Sequence, residues 1–364
     1  IRNDLCLGLN KRGFLLSNTV PIKIKGRIAS PHKASKSPDL KSRNVLTNSP
    51  WDFVELWLKK EKQKDALFYW NQAREFHKAS HGLPIQSSPL LHYYSFMNAV
   101  KALLSSKNIA FDEYHGVTSH NMRNNSNRIN LANEGVKIKS QGVLPSLSRY
   151  LGETETNNTH SLQELLFNLP YIHRTYCLTY KSQTDMYIPI KNAHFVCDRS
   201  SNQAFFRASL SADYSNAHVA KRLPTMFQLE NTEKEYLIKS KRCAAFTRPG
   251  RPTTSDMANL LSLHGDVRKE IFYINGAETL WYIKGNTSGP RRIDRSPTTI
   301  TLAAMHRLSE LSRYKPLELD SFLSGQKNWL ISEFIQQSPS QFLDEIASEI
   351  TGHQFLTPNV RPAK

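Results

Sequence analysis

The sequence predicts an α+β fold, mostly α, with a helical core built from N- and C-terminal helices and a β-hairpin-containing middle segment. Three observations carry this. In residues 88–104, Leu90, Leu91, Tyr93, Tyr94, Phe96, Met97, Ala99, Val100, Ala102, Leu103 and Leu104 cover almost the whole circumference of one helix. A helix that is apolar all round is buried all round. Residues 186–196, 204–210 and 236–238 then change to β-like runs, and from residue 300 the helical spacing returns.

Residues 1–48 lack periodicity and interleave Lys33, Lys36, Lys41 and Arg43 with Ser and Pro. They read as a basic, partly disordered lead-in, with a short strand allowed at residues 20–28. Residues 49–175 form a helical part. Ser49, Pro50 and Asp52 resemble a capped helix start, with Phe53, Leu56 and Trp57 on its inner face. After a polar break at residues 59–64, a second face is marked by Ala66, Tyr69, Trp70, Ala73, Phe76 and His77. Gly82 and Pro84 end that helix, and Ser88-Pro89 opens the central one. His115-Gly116 and residues 121–135 read as loop, and residues 136–138 as a strand edge. Ser161 with Glu164 caps a helix that stops near Pro170.

Residues 176–297 form the mixed segment with β-hairpins. Its strongest signal is Asn275-Gly276 between apolar runs, the dipeptide that supplies both positive-φ positions of a type I′ turn. In residues 298–355 the C-terminal helices return to pack on the helical core. Pro316 separates residues 300–314 from 317–336. Ser338-Pro339-Ser340-Gln341 reads as a capping box for a last helix lined by Phe342, Leu343, Ile346 and Ile350 and closed by Gly352.

The 364 residues carry 48 Lys and Arg against 31 Asp and Glu, a formal charge of +17. That excess points to a polyanionic partner; the competing reading is a solvated basic surface. Residues 1–50 hold ten of the cations against Asp4 and Asp39, so the pattern is a basic tail on a more moderate globule. No window approaches the ~20 apolar residues of a membrane span, so no membrane contact is expected. Cys6, Cys177, Cys197 and Cys243 form no Cys-x-x-Cys pair, which disfavours zinc or a disulfide framework and suits the cytoplasm. Phosphate-loop, dinucleotide, His-Glu-x-x-His and Gly-x-Ser-x-Gly patterns are missing from the sequence, so neither cofactor nor metal is expected.

Ser49-Pro50-Trp51, residues 73–76, residues 89–104, His115-Gly116, residues 165–173, Arg313-Tyr314-Lys315-Pro316, residues 329–335 and residues 341–350 resemble the YaaC-like family of bacterial proteins. The resemblance spans most of the chain from about residue 45 and implies a fold more than a reaction. A weaker likeness is to HEPN domains. Tyr93-Tyr94, residues 101–104 and the downstream His115-Gly116 are similar to their second helix and following loop. Those helical bundles include RNA-cutting toxins and non-catalytic partners. Their catalytic hallmark is Arg, a short spacer and His, which sets a cation and an imidazole against a scissile phosphate. Arg27 with His32 and Arg74 with His81 have that spacing, as often as chance gives for this content of Arg and His. Arg74 and His81 precede Tyr93-Tyr94, whereas the family hallmark follows it.

Arg74, His81 and His115 are therefore the candidate catalytic groups. His115, His120, Arg123 and Arg128 make a candidate anion site, because imidazole exchanges protons near neutral pH and guanidinium grips phosphate with two N–H groups. The alternative is a polar loop anchored by a histidine hydrogen bond. Arg307, Arg313 and Lys315, with His306 and Tyr314, form a basic helix end that either binds phosphate or complements the helix dipole. His92, Asn98 and Lys101 interrupt the apolar helix and need partners, either backbone groups elsewhere or a carboxylate, with Glu310, Asp320, Glu345 and Glu349 as candidates. Asp344, Glu345 and Glu349 read as a wet helix face rather than a metal site. The expected role is binding of RNA or another nucleic acid, or of a protein partner or second copy. Family analogy adds a stress or phage-response setting. The alternatives are a HEPN-type metal-independent ribonuclease and a non-catalytic scaffold.

Overall fold

The computed structural model describes residues 18–357 apart from 124–128, 182, 184, 215, 232–235, 277 and 288–289. The chain enters through short strands β1 (Thr19–Pro21), β2 (Lys23–Ile24) and β3 (Arg27–Ile28) and runs as an extended strap to β4 (Val45–Leu46). Helices α1 (Pro50–Lys60), α2 (Lys64–Ser80) and α3 (Ser88–Ser106) follow. Ser49 accepts a hydrogen bond from the Asp52 N–H, and Pro50 pre-sets the first turn of α1. The inner face of α1 is Trp51, Val54 and Leu58, and Leu56 is exposed, which corrects the face expected from the sequence. Trp51 sets that rotation: its ring packs 4.6 Å from Trp70, whose Nε1–H donates to the Trp51 carbonyl. From Tyr93 to Leu104 every residue of α3 except Tyr94 is buried.

Strands β5 (Val117–Asn121) and β6 (Glu134–Ile138) are followed by α4 (Val143–Leu151), β7 (Thr159–Ser161), α5 (Leu162–Phe167) and α6 (His173–Thr179). Ser161 and Glu164 close the expected capping box on α5. β6 lies between β5 and β7. It is thus a central strand rather than an edge, and His120 stands on β5 opposite Gly135 rather than in a loop.

The middle of the chain gives β8 (Tyr187–Asp198), β9 (Gln203–Leu210), α7 (Ala217–Ala220), β10 (Phe227–Asn231), β11 (Tyr236–Ser240), β12 (Ala244–Ala245), α8 (Thr254–Val267), β13 (Ile271–Ile274) and β14 (Leu280–Lys284). These strands form an antiparallel sheet in the order β10-β11-β9-β8-β14-β13, with β1 beside β8 and β12 beside β9. Ile274 pairs with Leu280, so residues 275–279 connect β13 to β14 in place of the expected two-residue turn. Neither Asn275 nor Gly276 has a positive φ. Asn275 is used instead for tertiary contacts: its N–H donates to Gln341 Oε1 at 2.9 Å, and its Oδ1 accepts from Lys33 Nζ at 2.9 Å.

The chain ends with α9 (Pro297–Tyr314), α10 (Pro316–Ser324), α11 (Asn328–Thr351) and β15 (Phe355–Leu356), the last parallel to β4. α11 runs through Pro339, so the capping box expected at Ser338 does not open a new helix. Proline removes one helical hydrogen bond. Here Ser338 and Pro339 are buried, and Gln341 donates from Nε2 to the Tyr273 carbonyl, so tertiary packing outweighs the local break. Gly352 ends α11 in the left-handed conformation.

Two hydrophobic cores result. One gathers α1–α6 and α9–α11 around α3, where Phe96 stacks on Phe342 at 4.2 Å. The other packs Leu260, Leu263 and Val267 of α8 and Ile22, Ile24 and Ala29 of the strap against Ile188, Phe195 and Phe206 of the sheet. Each buried side chain of this size contributes about 1.5–3 kcal/mol.

From residue 18 onward the lead-in is not a loose tail, because it threads between these cores. Lys33 is buried against Asp344 at 3.0 Å, and its Nζ also donates to the Phe355 carbonyl at 2.7 Å. Tyr273 donates from its hydroxyl to Asp344 at 2.8 Å. Glu349 accepts from the Ser35 hydroxyl at 2.7 Å and from Tyr150 at 3.2 Å. Glu345 accepts from Thr298 and from Gln341. Asp344 and Glu349 are thus buried, and all three carboxylates are bonded within the fold; they do not form the wet face expected from the sequence.

Candidate functional site

His115 lies in the connector between α3 and β5, and the backbone fixes its place. Gly116 has φ +73°, and a Cβ there would fall 2.3 Å from Pro145 Cδ. Only glycine lets the connector close on α4. The N–H groups of Val143 and Leu144, in the first turn of α4, donate to the carbonyls of Tyr114 at 2.8 Å and His115 at 3.2 Å. They are orphan helix-terminal donors, and here they pin the connector.

The His115 ring is held from two sides. Its Nδ1 is 2.6 Å from the Tyr93 hydroxyl. The His306 ring of α9 lies 5.0 Å from Tyr93 and 5.7 Å from His115, centre to centre. Tyr93 and His306 are buried, while His115 is half-buried. Burial lowers the His115 pKa, and the charges of Arg313, Lys101 and Lys139 lower it further. Burial, then His115, Arg307 and Arg313, push His306 down to about 3. Burial also keeps the Tyr93 phenol protonated. Both imidazoles are therefore neutral at pH 7. When Tyr93 donates to Nδ1, His115 carries its proton on Nε2.

Among the described residues, Arg313, Lys101 and Lys139 form no ion pair. The Arg313 guanidinium lies over the Tyr314 ring at 4.8 Å, and the Lys101 ammonium over Tyr69 at 5.4 Å. The other expected cations differ. Arg307 pairs with buried Glu134 and with Glu310, Arg123 with Glu134 and Glu318, and Lys315 with Glu318. Burial pushes the Glu134 carboxyl up, but hydrogen bonds from Arg307 and Arg123 hold it below its ordinary value. These matched pairs brace β6 against α9 and α10, around a cavity of about 160 Å³ lined by Ser119, Asn121, Tyr314 and Lys315.

The remaining sequence candidates lie apart from His115. Arg74 is bound by Asp52 at 2.6 Å and Glu55 at 3.1 Å. His81 follows α2, with its ring 4.7 Å from His77. Among the described residues no polar or ring contact joins Arg74 or His81 to His115. His120 is half-buried on β5, and Arg128 lies outside the described residues. Asn98 bonds to the Tyr94 carbonyl at 2.8 Å, a backbone partner within its own helix, and Lys101 faces the Tyr69 ring in place of a carboxylate. His92 lies beside the Phe96 ring, and burial holds it near pKa 4.

His173, Cys177 and Asp185 also come within reach of one another. His173 Nδ1 faces the Phe167 carbonyl at 3.1 Å, and its Nε2 accepts from the Met186 N–H at 2.8 Å. Burial pushes the Cys177 thiol up to about 12. With both ring nitrogens committed and the thiol protonated, this group is a hydrogen-bonded corner of the core.

Sequence reasoning placed Tyr93 among the apolar residues and left out Lys139. The Tyr93-Tyr94 pair is a signal for the first, whereas nothing in the sequence marks Lys139. Among the described residues, no helix is long and apolar enough to cross a membrane. Neither the curated proteins nor the solved structures compared with the chain gave a match. The model of the family described as YaaC-like Protein matches residues 34–350. That span runs from the second half of the strap through the helices and the sheet to nearly the end of α11, and the chain belongs to the YaaC-like family.

Proposed function

We propose that this protein binds a single-stranded nucleic acid, RNA in the first instance, across the end of the helical core where His115 meets α9. One observation carries the reading: Arg313, Lys101 and Lys139 have no carboxylate partners among the described residues, and the Lys139 N–H donates to the Gly116 carbonyl at 2.9 Å, beside the half-buried His115 whose imidazole all three cations disfavour charging. Like charges gathered in this way favour an anion between them. A phosphodiester offers acceptor oxygens to Arg313, to Lys139 and to the Nε2–H of His115. The formal charge of +17 adds long-range attraction for the same partner. Fluorescence anisotropy with labelled single-stranded RNA tests the reading, and His115→Ala and Lys139→Gln are expected to weaken binding. Absence of binding at low salt leaves the non-catalytic scaffold.

A metal-independent, HEPN-like ribonuclease is the second reading, favoured by a neutral imidazole beside an arginine. A general base must be neutral with a free lone pair, which His115 has at Nε2 in the tautomer whose Nδ1–H donates to the Tyr93 oxygen. The roles first assigned to Arg74 and His81 would then fall to Arg313 and His115. Incubation with total RNA in the presence of EDTA decides it. Cleavage that His115→Ala abolishes supports the enzyme, and intact RNA removes it.

A further inference from the structure

We infer that the cleft between the two cores is a separate anion site that takes a phosphate-bearing small molecule. The cleft has a volume of about 400 Å³, within the range of small-molecule pockets. It shares no residue with the His115 face. Its walls come from the strap, the turn after α4, the end of α8, β13, β14 and the segment before α9.

Its charges do not balance. Arg292 is matched by Glu270 at 2.6 Å and Asp294 at 2.9 Å, Arg295 by Glu153 at 3.2 Å, and Lys269 by Asp266 at 2.9 Å. Lys36, Arg268 and Lys284 line the same cleft and have no carboxylate pair among the described residues. Lys284 is only 2% exposed, and its ammonium makes one hydrogen bond among those residues, to the Ile293 carbonyl at 2.6 Å. The Arg268 guanidinium lies 5.6 Å from the Tyr273 ring and 5.2 Å from Trp281; its terminal nitrogens donate to the Ile271 and Lys33 carbonyls, and its Nε has no hydrogen-bond partner among the described residues. Arg295 is buried, and its Nε is also unpartnered among the described residues.

Cations without carboxylate partners and unused donors on one cavity call for a multivalent acceptor. A monocarboxylate would leave two of the three cations unmatched. A phosphate monoester brings about two charges and three acceptor oxygens. The cavity is larger than a phosphate alone, and Leu151, Phe272 and Ile293 provide an apolar wall for the rest of the molecule. At the mouth, Gly152 has φ +65° and a Cβ there would lie 2.8 Å from Lys36 Nζ, so glycine leaves room for that ammonium over the cleft. Burial, and then the charge of Arg292, also depress Lys284 to about 7.

Isothermal titration of the full chain with ADP, and with inorganic phosphate as competitor, tests this. One ADP per chain is expected, displaced by phosphate. Lys36→Gln, an exposed position that does not threaten folding, is expected to weaken it about tenfold or more. Arg313→Gln, on the other face, is expected to leave it unchanged. No heat with either probe overturns the inference, as does ADP affinity that Lys36→Gln leaves unaltered or that Arg313→Gln lowers.

Discussion

The Lys33 ammonium lies 3.0 Å from Asp344 Oδ1, with both side chains buried at the junction of the strap, β13 and α11. This pair fastens the start of the chain to its last helix. Removing one partner leaves a buried charge uncompensated, which costs about 3–5 kcal/mol. Asp344→Leu should lower the urea midpoint accordingly. The double variant Lys33→Met with Asp344→Leu should recover part of that loss. A double variant as unstable as the sum of the two single ones contradicts the pairing.

Gly116 sets the position of His115. Gly116→Ala combines a positive φ with a Cβ 2.3 Å from Pro145 Cδ. Strain of that kind costs about 1–3 kcal/mol before the clash is counted. A lower melting temperature and a shifted His115 imidazole resonance are expected. An unchanged resonance in a folded variant would contradict the backbone account of this site.

Acid should unfold the protein through its buried histidines. Burial lowers His306 from 6.5 to about 3, and His160 and His173 from 6.5 to about 4. The unfolded chain therefore takes up these protons first. The stability they contribute is complete above about pH 6.5 and is lost as the pH falls toward 4. His160 is fully buried, and neither ring nitrogen has a partner among the described residues. Urea titrations from pH 7 to pH 4 should show His160→Leu losing little at pH 7 and less than wild type at pH 4.

Glu345 acts in the opposite sense. Burial raises its pKa from 4.5 to about 7, so the folded state holds the proton longer than the unfolded one. Its contribution is present below about pH 4.5 and is lost as the pH rises through 7. Glu345→Gln keeps an oxygen for the Gln341 amide and a group to meet Thr298. It should be more stable than wild type at pH 8, but not at pH 5, by thermal melts at the two values.

The helical core was legible because α3 needs no distant information: an apolar circumference implies burial wherever its neighbours come from. The same rule failed where a partner lies far along the chain. Asn275 and Pro339 carry strong local signals, yet Gln341, Lys33 and Tyr273 override them. Asp344 and Glu349 looked solvated because their partners, Lys33 and Ser35, stand some 310 residues earlier. At the candidate site, His115 and Arg313 could be named from the sequence. The difference between Arg313 and Arg307 could not, since only the fold brings Glu134 to Arg307.

The central claim is that Arg313, Lys139 and His115 receive a phosphate backbone, and salt dependence tests it most directly. Affinity for single-stranded RNA, measured over a series of salt concentrations, should fall linearly on logarithmic axes, with about 0.7 in slope for each phosphate contact. Arg313→Gln should weaken binding severalfold and make the slope shallower by about that amount. Affinity and slope both unchanged in Arg313→Gln, or no RNA bound at low salt, would contradict the account.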